Sequence, residues 1–241
     1  MKNYLGKQIY QSIFYPLLFV MVLWLVYWMQ KHFGSRFVEW GVLPRTATGL
    51  RGVITSVFIH ADIEHLASNS LPLIVLGMML FYFYKKIAHA AFLWIWLISG
   101  LWLWIGGRNG AGNPSYHIGA STLIYGLAAF LFFSGVFRRH LQLMVVSALV
   151  LFLYGSIVWG VFPFQPQVSW EGHLFGSLAG ILVAFNYRSE GPKRKIYDWE
   201  KETDDDDEHQ NPGSTNEADT GQNITIHYIY REKGEEGKGE S

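Results

Sequence analysis

Six long apolar stretches, separated by more polar connections, dominate the chain. Most are close to the roughly 20 residues that an α-helix needs to cross the hydrocarbon core of a bilayer. They lack the alternation of a membrane β-strand, and a helix satisfies its own backbone hydrogen bonds in lipid. We therefore predict an all-α integral membrane protein with six transmembrane segments, numbered 1 to 6: Phe14 to Met29, His65 to Tyr84, Ala90 to Ile105, Ser121 to Phe137, Leu141 to Trp159 and Gly172 to Tyr187.

The composition agrees with a membrane protein and limits its chemistry. Half of the 241 residues are hydrophobic, 17% are aromatic and ten are tryptophan. Lys2 and Lys7 ahead of segment 1 would suit a secretory signal peptide, but residues 25–29 offer no small-residue cleavage site, so a retained helix is predicted. The chain has no cysteine, which excludes disulfides and thiol catalysis.

Residues 199–241 form a separate acidic region. They hold 4 Lys and Arg against 13 Asp and Glu, whereas residues 1–198 hold 15 against 6. We predict a membrane domain over 1–198, followed by a disordered tail rich in polar and acidic residues. Three other interpretations of the tail stay open: a short strand between Ile224 and Tyr230, cation binding at Asp204 to Asp207, and glycosylation at Asn223 if the tail is lumenal.

Basic residues predict the orientation of the segments. Lys85 and Lys86 follow segment 2, Arg138 and Arg139 follow segment 4, and further basic residues at 188–195 follow segment 6. Because short loops rich in Lys and Arg stay in the cytoplasm, these ends and both termini are predicted to be cytoplasmic. The first connection, which also carries four basic residues, is an exception. Segments 2, 4 and 6 then begin at the extracytoplasmic face, and all three begin with polar residues.

The start of segment 2 places two polar side chains on one helical face. His65 and Asn69 are four residues apart, so they lie one turn from each other and can donate hydrogen bonds into one small volume. His60, at or just before the helix start, could brace this region. Taken alone, such a pair at a membrane boundary is more often interfacial or structural.

The start of segment 4 carries a hydroxyl group. Gly119 lets the backbone bend tightly into the helix, which leaves the Ser121 amide among the unpaired N–H groups of the first turn. Such an N–H can bind an anionic oxygen. Tyr125 lies four residues after Ser121, on the same face and about one turn deeper.

The start of segment 6 carries an imidazole. His173, Gly176 and Gly180 recur at steps of three and four residues, so the glycines allow another helix to come close where His173 faces it. If this neighbour is segment 4, His173 meets Ser121.

Polar groups inside a membrane are energetically costly, so several of them at one depth indicate a functional site. The residue types at these three helix starts indicate that this function is catalysis. A neutral imidazole is the usual base for a serine nucleophile, so we predict a dyad of Ser121 and His173. A carboxylate as third member has few candidates, since Asp62 and Glu64 precede segment 2 and Glu171 points to another face than His173. Tyr125 is predicted to stack on the imidazole, and the predicted oxyanion donors are Asn69, His65 and the Ser121 N–H.

As a set, these residues resemble the rhomboid family of intramembrane serine proteases. The resemblance covers roughly residues 40–187, through GVLP at 41–44, HADIEHLASN at 60–69, GAS at 119–121 and GHLFGSLAG at 172–180. It implies a six-helix bundle that cleaves transmembrane substrates near their extracytoplasmic ends, in a water-filled cavity, without metal or other cofactor. The resemblance also implies the catalytic and supporting roles given above for Ser121, His173, Tyr125, His65 and Asn69.

Two positions depart from the family pattern. Thr122 follows the serine, where the family usually has glycine, and its β-branched side chain could crowd the turn. Many members also have an adjacent Trp-Arg pair in the first connection, whereas Trp40 and Arg36 stand apart here.

Three other functions are alternatives. A catalytically inactive relative that binds membrane clients would keep the fold but lose the serine or the histidine. A metalloprotease would use His60, His65 and His173, but these lack the HExxH spacing. A transporter would show interrupted helices or repeated halves. The expected partners are the lipid bilayer and transmembrane proteins, with no nucleic acid. The expected location is a bacterial plasma membrane, with an organelle membrane as the alternative.

Overall fold

The computed structural model describes residues 2–33, 37–110, 115–139, 141, 144–145, 148, 160–163 and 169–191. Segment 5 falls largely outside these residues, and the acidic tail falls entirely outside them. Within the described ranges the protein is all-helical. Its α-helices are α1 (Lys2–Phe33), α2 (Gly52–Thr55), α3 (Ile63–Phe83), α4 (Ala88–Gly106), α5 (Ser121–Phe137) and α6 (Trp170–Asn186), and 3₁₀ turns occur at Phe37–Trp40, Thr48–Arg51 and Ser56–Phe58.

Three of these helices are long and apolar enough to cross a membrane, over Ile9–Phe33, Ile63–Phe83 and Ala88–Gly106. A shorter apolar helix spans Ser121–Phe137. These helices indicate an integral membrane protein, and the helical conformation predicted for segments 1 to 4 and 6 is confirmed. The ends differ mainly at α1, which extends beyond the apolar run of segment 1 at both ends.

Asp62 fixes the start of α3. Its carboxylate accepts a hydrogen bond from the His65 backbone N–H at 2.7 Å, as an N-cap residue does. The helix therefore begins at Ile63, and Glu64 lies in its first turn rather than before it.

Helix α5 lies at the centre of the described helices, where it packs against α3, α4 and α6. Leu123, Leu127, Phe130 and Leu131 on it are fully buried. Lipid chains are as apolar as leucine, so close packing rather than transfer from water holds such helices together. Helix α1 packs against α3 and leaves many large apolar side chains exposed, as a helix in contact with lipid would.

Glycines bring α5 and α6 into backbone contact. A Cβ atom at Gly176 would overlap the Thr122 carbonyl oxygen, and one at Gly180 would overlap the Gly126 carbonyl oxygen. The close approach predicted from the spacing of these glycines is therefore present. Thr122 fits at the same interface because a third glycine faces it: a Cβ at Gly172 would lie 2.7 Å from Thr122 Oγ1.

Arg138 joins the other ends of these two helices. Its guanidinium donates to the Ser134 carbonyl in α5 and to the Tyr187 and Glu190 carbonyls that follow α6. It also lies over the Tyr84 ring, 5.1 Å from the centroid, at the end of α3. One cation thus ties the ends of α3, α5 and α6 together.

The connection between α1 and α3 contains a tryptophan-arginine pair. The Arg51 guanidinium lies 4.6 Å from the centroid of the Trp40 ring and donates to the Glu39 carbonyl at 2.9 Å. Trp40 therefore has an arginine partner that is distant in sequence, whereas Arg36 lies outside the described residues.

We expect Gly180→Ala to destabilise the protein by about 1–3 kcal/mol, the usual cost of overpacking. The new methyl group would meet the Gly126 carbonyl oxygen and lie 2.9 Å from the Phe130 backbone nitrogen, and backbone atoms cannot move without shifting the helix. Gly6→Ala in α1 is the matched control, since a Cβ there has nothing within 4 Å. Thermal unfolding in detergent micelles measures both variants. Equal melting temperatures would contradict the backbone contact.

Candidate active site

Ser121 and His173 meet where α5 and α6 begin. Ser121 is the first residue of α5, and His173 lies in the first turn of α6. The distance from His173 Nε2 to Ser121 Oγ is 2.8 Å. The imidazole is buried, with 7% of the residue exposed, and the serine is half-buried. A hydrogen bond of this length can carry the serine proton to the imidazole when the oxygen attacks a substrate.

The other ring nitrogen of His173 bonds to a backbone carbonyl. His173 Nδ1 lies 2.8 Å from the Gly160 oxygen. A carbonyl oxygen can only accept, so Nδ1 carries the proton and Nε2 keeps a lone pair for Ser121. The Gly160 carbonyl therefore orients the imidazole in the way that a carboxylate does in a catalytic triad.

Tyr125 stacks on the same imidazole. The two ring centroids are 4.0 Å apart, and the planes differ by 8°. This parallel contact restricts rotation of the imidazole about its side-chain bonds. Gly160 closes over the pair, since a Cβ there would overlap the Tyr125 hydroxyl and lie 2.8 Å from His173 Nδ1.

The nearby carboxylates have other partners. Asp62 caps α3. Glu171 is buried, with 3% exposed, and its Oε1 lies 2.5 Å from Arg108 Nε. The described hydrogen bonds of the His173 ring go to Ser121 and Gly160 instead, and no described carboxylate bonds to this ring.

His65, Asn69 and Gly119 lie together beside the start of α5. Gly119 has a φ of +105°, and a Cβ there would lie 2.7 Å from His65 Nε2 and 3.7 Å from Asn69 Nδ2. Only glycine adopts this conformation without strain while leaving His65 in place. Asn69 Nδ2 is buried and has no hydrogen-bond partner among the described residues. With the Ser121 N–H at the helix start, it forms a set of potential donors to an anionic oxygen.

His60 supports the turn that precedes α5. It is fully buried, and its Nε2 accepts a long hydrogen bond of 3.4 Å from the Ala120 N–H. Burial, with a smaller contribution from His65, lowers the pKa of His60 to about 4, so the ring stays neutral and can accept. The Gly119 N–H donates to the Ser56 carbonyl at 2.9 Å. Both amides of the turn are therefore held by the residues before α3.

Two residues at the site were missed by the sequence analysis for different reasons. Gly160 acts through its backbone carbonyl, and a single glycine in a connection carries no pattern that predicts such a contact. Ser169, which caps α6 by accepting from the Gly172 N–H at 3.3 Å, could have been found from its position ahead of the apolar run. As to metals, the described part of the chain has no group of three or more His, Cys, Asp or Glu that could hold an ion.

Comparisons with known proteins identify relatives. A family model described as the Rhomboid domain matches residues 47–190, which include every site residue above. The uncharacterized protein Rv1337 of Mycobacterium tuberculosis is 40% identical over 187 residues, covering 74% of this chain and 75% of that protein. A Bacillus subtilis protein with the name "Putative rhomboid protease YdcA" is 28% identical over 187 residues, covering 74% and 89% of the two chains.

We expect Gly160→Ala to slow the reaction of Ser121 with a fluorophosphonate reagent by about 10-fold or more. The added methyl group would displace the Tyr125 hydroxyl and the His173 imidazole, and small misplacements of a base are costly to reactivity. The labelling rate is measured on the full chain in detergent. The control is Val161→Ala, which leaves the Gly160 carbonyl in place and should label like the wild type. Equal rates in the two variants would show that the close contact at Gly160 is not needed.

Proposed function

The chain belongs to the rhomboid family, and from this premise we propose that it is an intramembrane serine protease. The observation that carries the proposal is the 2.8 Å separation between Ser121 Oγ and His173 Nε2. Two further contacts support it: the His173 Nδ1–H donates to the Gly160 carbonyl, and Tyr125 stacks on the ring. Together they hold the imidazole in the tautomer and orientation of a general base.

The proposed reaction is an acyl transfer. Ser121 Oγ attacks the carbonyl carbon of a substrate peptide bond while His173 Nε2 takes its proton, and the carbonyl electrons move onto the substrate oxygen. The imidazolium then gives the proton to the leaving nitrogen as the C–N bond breaks, which leaves an acyl ester on Ser121. Water, deprotonated by the same imidazole, then attacks the ester carbonyl, and the imidazolium returns the proton to Ser121 Oγ as the acyl C–O bond breaks and the carboxylic acid product leaves.

The negative oxygen of the intermediate requires hydrogen-bond donors. Asn69 Nδ2, the His65 ring and the Ser121 N–H are the proposed donors, since they lie at or beside the turn formed by Gly119. A preorganised donor is worth about 10²–10³ in rate, because it needs no reorganisation when the charge develops.

The membrane setting of the proposal follows from where the polar helix starts lie. The starts of α3, α5 and α6 meet at one end of the bundle, through the contacts of His60 with Ala120 and of Ser121 with His173. We assign this end to the extracytoplasmic face and the basic ends, both termini and the tail over 199–241 to the cytoplasm, with segment 5 as a sixth transmembrane helix. The relatives named above are bacterial, which supports a bacterial plasma membrane. The proposed substrates are transmembrane proteins whose helices unwind easily near that face.

Purified protein in liposomes is expected to cleave a labelled transmembrane substrate, and Ser121→Ala and His173→Ala are each expected to reduce the rate by at least about 10³-fold. The matched controls are Ser12→Ala and His89→Ala, which remove the same side chains elsewhere in the protein. Cleavage that persists in Ser121→Ala would show that Ser121 is not the nucleophile. A wild type that binds membrane proteins without cleaving them would support the inactive relative, and inhibition by a chelator would support the metalloprotease.

Asn69→Ala is expected to lower kcat by about 10²-fold or less with little change in KM, since other donors remain for the oxyanion. The kinetics are measured with the same substrate. Asn109→Ala serves as the control because the hydrogen bond described for this exposed asparagine is a long one, 3.4 Å, to the Pro44 carbonyl. A kcat equal to that of the control would show that Asn69 does not donate to the oxyanion.

A further inference from the structure

His117 lies between the two helices that carry the proposed dyad. It is four residues before Ser121 and is buried, with 5% exposed. Its backbone pairs with Val42 in an antiparallel bridge: the His117 N–H donates to the Val42 carbonyl at 2.8 Å, and the Val42 N–H donates to the His117 carbonyl at 2.9 Å. The chain leading into α5 is therefore anchored to the connection that follows α1.

Both ring nitrogens of His117 have partners on other segments. Nε2 lies 2.8 Å from the Arg108 carbonyl oxygen, after α4, and Nδ1 lies 2.6 Å from Ser169 Oγ, before α6. Since the carbonyl can only accept, Nε2 carries the proton, and Nδ1 accepts from the Ser169 hydroxyl. Burial lowers the pKa of His117, which favours this neutral form.

Ser169 carries this contact into the helix that bears His173. Its Oγ accepts from the Gly172 N–H at 3.3 Å, and its carbonyl accepts from the His173 N–H at 3.2 Å. A shift of Ser169 therefore moves the first turn of α6, and with it the imidazole.

Arg108 adds a second link between the same segments. Its carbonyl accepts from His117, while its Nε lies 2.5 Å from Oε1 of the buried Glu171, two residues before His173. A buried carboxylate needs a partner, so this ion pair draws the half-exposed Arg108 side chain towards α6, although neither Glu171 oxygen makes a hydrogen bond among the described residues. We call Arg108, His117, Ser169 and Glu171 the brace.

We propose that His117 is a positioning residue which, through Ser169, sets the distance between Ser121 and His173. The inference rests on the proposed function. The nucleophile and the base lie on different helices, and His117 connects the backbone just before one to the N-cap of the other. Without this connection the two helix starts can slide by a fraction of an ångström, and displacements of about 1 Å cost on the order of 10²-fold in rate.

The test compares substitutions that keep or remove the hydroxyl at the α6 N-cap. Ser169→Thr keeps both the cap and a donor for His117. Ser169→Gly keeps a residue type that is favoured at the N-cap but removes the donor. His117→Ala removes the acceptor, and the double variant removes both. Asn109→Ala is the control, because it weakens another link between the segment after α4 and the first connection without touching the brace.

Two readouts are taken on the full chain in liposomes, each normalised to folded protein. One is kcat and KM for the transmembrane substrate, and the other is the labelling rate of Ser121 by a fluorophosphonate. We expect Ser169→Gly and His117→Ala to lower kcat and the labelling rate by about 10- to 100-fold with KM within about twofold. The double variant should be no slower than the slower of the two single variants, because each single substitution already removes the hydrogen bond between His117 and Ser169. Ser169→Thr and Asn109→Ala should behave like the wild type.

The proposal is overturned if folded Ser169→Gly and His117→Ala keep wild-type kcat and labelling, even if their melting temperatures fall, because the brace would then serve stability alone. It is also overturned if the two effects multiply in the double variant, or if Ser169→Thr is as slow as Ser169→Gly. If His117→Ala does not fold, the comparison of Ser169→Gly with Ser169→Thr tests the proposal alone. If the wild type, like Ser121→Ala, neither cleaves the substrate nor reacts with the fluorophosphonate, the proposed function is rejected, and the proposed role of His117 is rejected with it.

Discussion

The backbone contact between α5 and α6 is the constraint on which the rest of the site depends. The serine and the imidazole are on different helices, so their hydrogen bond exists only at one separation and register of these helices. Gly176 and Gly180 allow α6 to touch the carbonyl groups of α5, with no side chain between them that could adapt. Because lipid offers no hydrophobic drive for helix association, this fit and the polar links at both ends must fix the register.

Buried polar groups in an apolar surrounding need partners, and three histidines of the site find theirs in the main chain. The rings of His60, His117 and His173 all bond to backbone atoms, which fix their positions more firmly than flexible side chains would. Asn69 Nδ2, like His60 Nδ1, is buried without a hydrogen-bond partner among the described residues, and it lies beside Gly119 at the start of α5. An unsatisfied buried donor costs about 1–3 kcal/mol, and an oxyanion bound there would remove that cost. Under the proposed function, the Asn69 donor would therefore stabilise the transition state more than the ground state.

Local periodicity explains what could be predicted from the sequence. The contacts of Tyr125 with the imidazole and of the α6 glycines with α5 follow from steps of three and four residues on helices. The missed contacts depend on the path of the connections instead: His173 reaches Gly160 across 13 residues, and His117 reaches Ser169 across 52. A backbone carbonyl that orients a histidine has no side chain to mark it. The sequence predicted a dyad without a carboxylate and assigned the orientation of the imidazole to Tyr125, but it did not predict that a main-chain oxygen also holds the ring.

The two departures from the family pattern are accommodated by residues elsewhere in the chain. Successive residues of a helix point about 100° apart, so Thr122 need not point where Ser121 does. Its Oγ1 lies against Gly172 of α6, which has no side chain to collide with it. The absent Trp-Arg neighbour pair has a counterpart in Arg51, which stacks on Trp40 from 11 residues away. A glycine that is missing on one helix can thus be replaced by a glycine on its partner. What must be kept is the space between the helices, and the sequence of either helix alone does not reveal it.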